Sequence, residues 1–354
     1  MHYYPQKLSK LFQRVEEAMT IAKPIQPDTN SVNAAEEEID PSSSSGAGVA
    51  AAPAKEPTAP PTQDIVPWHR FLDSARNQDI KERFTQEVSE ILESEAVSDQ
   101  CCIGLIEPQD SITTSDLDAV FGALAAENAA HQKNVLLFLL CPGGSIEPAF
   151  QISKICKTFA RERFTVVVPR QAKSAATLIA IGADEIHMGP LGQLGPIDPQ
   201  LDGLPALGVS QALGTIASVV EKHPGSAEMF ARYLQQTLTV EQVGYCDRIS
   251  ESAVQYAERL LSTKQNLAKP AGQIARELVY EYKDHNFVID IEETRKHLGV
   301  EWIKTDTKEV RAAERIYSLF ELVGFFFQFA KNRRLYIMGS LTNPAAIRIV
   351  KNLK

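Results

Sequence analysis

Ser174 stands in the stretch Lys173-Ser174-Ala175-Ala176, after an apolar strand-like run and at the start of a small-residue helical segment. A serine hydroxyl in that place sits near the positive end of a helix dipole and can attack a carbonyl carbon. The two alanines after it leave room for a substrate. Serine is also a preferred helix cap, and local sequence alone does not separate the two uses. Earlier, Pro142-Gly143-Gly144 follows another apolar run. Glycine after a strand permits positive φ and close approach of a ligand, so this turn can aim backbone N–H groups at an oxyanion. A plain tight connection from strand to helix needs the same glycines.

A serine nucleophile needs a base. His285, in YKDHNFVID, lies in a polar stretch between helical segments, and loops carry catalytic groups more often than helix faces do. Lys222 ends a helical segment just before His223-Pro224. A lysine serves as base where burial depresses its pKa, although a helix C-terminus equally favours a plain solvated lysine. Lys173 adjoins the serine, but neighbouring side chains on a turn usually diverge. His187 falls in an apolar run and reads as a core or edge histidine. Asp198, in GPIDP, can orient a histidine and stabilise its imidazolium. Asp-Pro is also a common turn signal.

Bringing these groups together requires two adjacent parallel strands. The run at 135–141 is continuously apolar, as expected for a strand covered on both faces, and 164–168 reads as the next buried strand. Each leads into a turn and then a helix, which places both turns at one end of the sheet, where open α/β folds carry their chemistry. A further strand is expected at 101–107 and another at 185–188. Helices are expected at 77–95, at 115–130 with Leu117, Val120, Phe121 and Leu124 on one face, after the capping residue Ser145, and at 174–181. The Gly- and Pro-rich stretch 189–199 reads as a firm loop. Beyond it the chain reads as mostly helical, at 209–222, 226–238, 240–262, 271–282, 291–298 and 308–330. The last of these ends LFELVGFFFQFAKNRR, which fits a buried or subunit-interface helix better than a membrane-surface one.

The chain has 354 residues with a net charge of −9, and no basic patch suggests nucleic acid. Its five cysteines lack metal-ligand spacing and read as buried reduced thiols, which fits a cytoplasmic setting. The N-terminus has no apolar signal-peptide core, and no run is long enough to span a membrane. Three parts are expected: an amphipathic helix within 1–23, a disordered Pro-, Ala- and Ser-rich linker at 24–64, and a folded domain at 65–354. The first helix offers an apolar stripe to its own domain, another subunit or a partner protein.

The segments PGGS, AKSAATLIAIGADEIHMG and LGQLGPIDPQ together resemble the Clp-fold serine peptidases. The chain is most similar to the serine dehydrogenase proteinase family, relatives of the Clp protease proteolytic subunit and of signal peptide peptidase A. The match covers about 135–200 and continues more weakly through YKDHNFVIDIEETRKHLGV; nothing before 65 takes part. The resemblance implies an α/β Clp/crotonase-like ββα spiral with a helical C-terminal part, and a serine peptidase working through an acyl-enzyme without a cofactor. It puts Ser174 in the nucleophile's place and Gly143 and Gly144 on the oxyanion-hole turn. The family's chain order of Ser, Asp and His suits Ser174, Asp198 and His285. The Clp subunit's own histidine would fall near Ile197 or Asp198, where this chain has none. Signal peptide peptidases use a downstream lysine, a place Lys222 can fill, so a Ser-Lys pair stays open beside the triad. Clp-fold proteins assemble, which implies a homo-oligomer acting on polypeptides or peptides. Two other readings remain: an inactive Clp-fold scaffold or interaction protein, and a crotonase-like acyl-CoA enzyme, for which a carboxylate beside Ser174 is lacking.

Overall fold

The computed structural model describes residues 74–351 except 202–203, together with Trp68, Phe71 and Leu72. These fall in one unit, Thr62–Lys354. The expected N-terminal helix and linker lie outside the described residues.

Five parallel strands form the centre of the sheet: β1 (Cys101–Ile106), β2 (Val135–Leu140), β3 (Phe164–Val168), β5 (Glu185–Met188) and, at the far edge, β9 (Ile303–Lys304). Every residue of β1, β2 and β3 is buried, which explains why their sequences do not alternate. The two faces still divide by parity. Ile103, Leu105, Leu137, Leu139, Val166 and Val168 join one apolar layer, whereas Cys102, Ile106, Leu136, Phe138, Leu140 and Val167 join the other. The first layer is completed by helices α2 (Thr114–Glu127), α3 (Ile146–Phe159), α4 (Ala175–Ile181), α7 (Val240–Leu261), α8 (Ala271–Arg276) and α9 (Ile291–Leu298). The second is completed by α1 (Asn77–Ser94) and α10 (Lys308–Lys331). Along the chain between α4 and α7 come the short hairpin β7 (Gln200–Leu201) and β8 (Leu204–Pro205), then α5 (Ala206–Lys222), which packs on α7, and α6 (Ala227–Thr237).

The C-terminal part is not purely helical. β10 (Arg333–Ser340) and β11 (Ile347–Lys351) extend the sheet beyond β1 in antiparallel fashion, giving seven strands in all. The helical reading missed them because α10 runs into β10 without a glycine or proline. The break falls at Asn332, which takes the left-handed conformation at φ 49°. α10 buries Ile316, Leu319, Phe320, Val323 and Phe327, and leaves Phe325 and Phe329 exposed. Among the described residues, no helix is long and apolar enough to cross a membrane, and all five cysteines are buried thiols.

A second, minor ladder matters more for the site. After each main strand the chain makes a short pairing before its helix. Cys141 bridges Ala172; β4 (Gln171–Ala172) pairs in parallel with β6 (Gln193–Leu194); and Leu194 bridges Ile289. Ile112 bridges Gly144 beside them. The stretch expected to be a loop at 189–199 therefore carries a strand. This strand–strand–helix repeat is the ββα spiral, and it sets four chain segments side by side: 141–144, 171–174, 193–198 and 285–289.

Candidate active site

Ser174 precedes α4 with φ 52° and ψ −121°. A non-glycine residue at positive φ costs about 1–3 kcal/mol and persists where its surroundings enforce it. Here the enforcement is visible on both sides. The Lys173 N–H donates to the Cys141 carbonyl at 3.0 Å. One turn into α4, the buried Thr177 places Oγ1 2.8 Å from the carbonyls of Ala172 and Gly195, and it accepts from the Gly195 N–H at 3.0 Å. Ser174 makes no side-chain cap bond to its own helix, so the capping use of this serine is not the one the fold adopts.

The diglycine turn faces it. Gly143 and Gly144 have φ 127° and 143°. A Cβ on Gly143 would stand 2.6 Å from Ser174 Cβ and 3.2 Å from its Oγ. Only hydrogen at that position lets the two turns meet. A Cβ on Gly144 would stand 2.2 Å from the Ile112 nitrogen. Beneath the turn, Cys141 Sγ accepts from the Gly143 N–H at 3.4 Å, and burial pushes its thiol up to about 12, so it stays neutral.

Asp198 and His285 are brought together across 87 residues, with His285 Nδ1 2.5 Å from Asp198 Oδ1. A carboxylate oxygen only accepts, so Nδ1 carries a proton, and in the neutral tautomer that this bond selects Nε2 is the nitrogen with the lone pair. Asp198 is only 5% exposed. Its position follows from a wide turn that the sequence did not suggest: the helix expected over 271–282 becomes a π turn at Glu277–Glu281. There the Leu278 carbonyl accepts from the Ile197 N–H at 2.8 Å, next to Asp198. His285 is held by the Ile289–Leu194 bridge, by an Asp284 turn in which Oδ1 accepts from the Asn286 N–H at 2.8 Å, and by Tyr282 against Phe287 at 4.7 Å.

Ser174, Gly143, Gly144 and His285 all line one cleft of about 670 Å³. Its opposite wall is α7, which contributes Tyr245, Ile249, Ser252 and Tyr256 at helical spacing. These residues were not singled out from sequence, because the neighbouring face of α7 carries an equally regular apolar stripe, including Ala253, Val254 and Ala257, that packs into the core. Lys222 ends α5 as an exposed residue and is not part of the cleft wall. Lys173 turns its ammonium to the Asn286 carbonyl, at 2.9 Å. His187 is buried on β5 with Thr307 Oγ1 2.8 Å from its Nδ1. Among the described residues, no group of three or more His, Cys, Asp or Glu side chains could hold a metal ion. A strained serine, a carboxylate-bound imidazole and glycine amides around one cleft are the parts that acyl transfer requires.

Comparison with known proteins gives the family. The family of ClpP-like SDH-type serine proteinases matches residues 69–337, well over half of the chain, and the chain belongs to it. Two proteins of Methanocaldococcus jannaschii are similar to it, both uncharacterised. MJ0137 is 31% identical over 60% of this chain and 65% of its own length; MJ1495 is 27% identical over 52% and 56%. The chain thus spans less than two thirds of either relative. Among solved structures, a mutant of the 1510-N membrane-bound stomatin-specific protease with a substrate peptide aligns at TM-score 0.37 and 17% identity, over 60% of this chain and 75% of that one. ClpP1 from Listeria monocytogenes aligns at 0.36 and 14%, over 63% and 98%.

Proposed function

We propose that this protein hydrolyses peptide bonds through an acyl-enzyme on Ser174. In the first step Ser174 Oγ bonds to the scissile carbonyl carbon while His285 Nε2 takes the hydroxyl proton. The electron pair of the carbonyl moves onto its oxygen, which the Gly144 amide of the diglycine turn stabilises while the Gly143 N–H rests on Cys141 Sγ; one such donor is worth about 3 kcal/mol. Collapse of this intermediate breaks the C–N bond, and His285 returns its proton to the leaving amine. Water then repeats the sequence on the ester and frees Ser174. Asp198 fixes the imidazole's tautomer and supports it while it is charged.

The observation that carries this reading is the meeting of Ser174, at φ 52°, with Gly143 in a cleft also lined by an Asp198-bound His285. It favours His285 as base over Lys222, which is exposed, and over Lys173, whose ammonium is engaged elsewhere. The test is Ser174→Ala. Peptide hydrolysis and labelling by a serine-directed fluorophosphonate are expected to vanish, with the fold retained. Full activity in that variant would exclude the mechanism.

A further inference from the structure

The loop that carries His285 is thinly held. Asp284, Asn286, Phe287 and Val288 are exposed, and the first buried residue after His285 is Ile289. A segment with so few apolar contacts depends on polar ties for its position. Beside the backbone bridge of Ile289 to Leu194 at its end, two side-chain ties reach it from other parts of the chain: Asp198 to His285, and Lys173 to the Asn286 carbonyl.

Lys173 touches each segment of the site. It is the residue before Ser174. Its stem lies on Gly195, where a Cβ would stand 3.0 Å from Lys173 Cβ and Cγ and 3.3 Å from Cδ. Gly195 lies three residues before Asp198. Lys173 Nζ donates to the carbonyl of Asn286, the residue after His285, at 2.9 Å. We propose that Lys173 is a positioning residue that ties the His285 loop to the nucleophile turn and so sets the imidazole between Asp198 and Ser174. Burial holds the Lys173 pKa down while the nearby Asp284 charge opposes the shift, in keeping with an ammonium partly enclosed by this contact. A long stem that packs on glycine, with a compact donor at its end, is what the span demands, and a shorter or neutral side chain loses one half of the tie.

This rests on the acyl-enzyme reading, and the experiment separates the two. Lys173→Met keeps the stem on Gly195 and removes the donor. Labelling of Ser174 by fluorophosphonate is expected to slow about ten- to a hundredfold, as for other residues that orient a reacting group. In peptide hydrolysis kcat should fall with KM nearly unchanged, and Lys173→Arg should restore part of the rate. Hydrogen exchange at the 286–289 amides should quicken while β1, β2 and β3 stay protected. Gly195→Ala attacks the tie from the other side by displacing the stem, and should slow labelling in the same way should Lys173→Met fail to fold. Labelling at the wild-type rate in a folded Lys173→Met protein overturns the proposal, as does unchanged loop exchange. A wild-type protein that takes no label refutes the acyl-enzyme reading instead, and the exchange measurement then still decides whether Lys173 holds the loop.

Discussion

Gly143→Ala probes the contact on which the chemistry depends. Gly143 has φ 127°, and its missing Cβ would stand 2.6 Å from Ser174 Cβ, 3.0 Å from the Lys173 carbonyl oxygen and 3.2 Å from Ser174 Oγ. Non-bonded carbons settle at about 3.5–4.0 Å, so relief requires the two turns to part by about 1 Å. The backbone conformation costs alanine about 1–3 kcal/mol, which for a unit of this size lowers Tm by roughly 2–5 °C. A displacement of about 1 Å at a reacting group costs about a hundredfold in rate, or about 2.7 kcal/mol of barrier. Misdirecting an oxyanion donor adds to this, so the expected loss is about a hundred- to a thousandfold. The assay is the second-order rate of fluorophosphonate labelling, read beside a thermal melt. Gly144→Ala is the comparator. Its Cβ would meet the backbone of Ile112, at 2.2 Å from N and 2.6 Å from O, inside a pairing rather than against a side chain. Its damage should therefore reach stability as well as rate, with a larger loss of Tm than in Gly143→Ala. A folded Gly143→Ala protein that labels at the wild-type rate would show that these two turns do not converge on the reacting atoms, and the reasoning would fail.

Asp198→Asn should leave the fold in place and lower kcat by about 10³–10⁴, because an amide in that place no longer dictates which imidazole nitrogen carries the proton; an unchanged kcat in steady-state peptide hydrolysis would count against the triad. Glu107→Gln bears on stability against pH. Burial, with the Asp116 and Asp110 charges, pushes the Glu107 carboxyl up to about 8, far above its unfolded value. The folded state then binds the extra proton, so stability is full below about pH 4.5 and declines as pH rises towards 8, by on the order of a few kcal/mol. Urea denaturation at pH 5 and pH 8 should show this decline in the wild type and a flatter profile in the glutamine variant.

The parallel centre of the sheet was legible because β1, β2 and β3 are buried on both faces and so read as apolar runs, broken only by Thr165. The edge strands were not. β10 begins RRLYIMGS directly after an apolar helix, and what makes it a strand is the open edge of β1, a tertiary fact. Ser174 and the glycines were legible as residue types at strand ends, and His285 and Asp198 as polar residues in loops. Their juxtaposition was not, since 87 residues separate the last two. Lys222 remained a candidate on sequence because a helix end is compatible with either burial or exposure, and only packing decides between them.

The hidden feature is the minor ladder. Its strands are two residues long, too short for any period to appear in the sequence. Yet the main sheet alone aligns only the diglycine turn with Ser174, because only β2 and β3 lead into those turns. The aspartate and histidine segments are added through Leu194, which exchanges hydrogen bonds with Ile289 at 2.9 and 3.1 Å. The core of the fold and the alignment of the site therefore have different supports. The first is the two apolar layers on the large sheet, and the second is a ladder of a few backbone bonds braced by Thr177 and Lys173. Lesions in the ladder should accordingly reach the chemistry well before they reach the fold, which is why rate and melting temperature, measured together, distinguish this architecture from one in which the sheet alone builds the site.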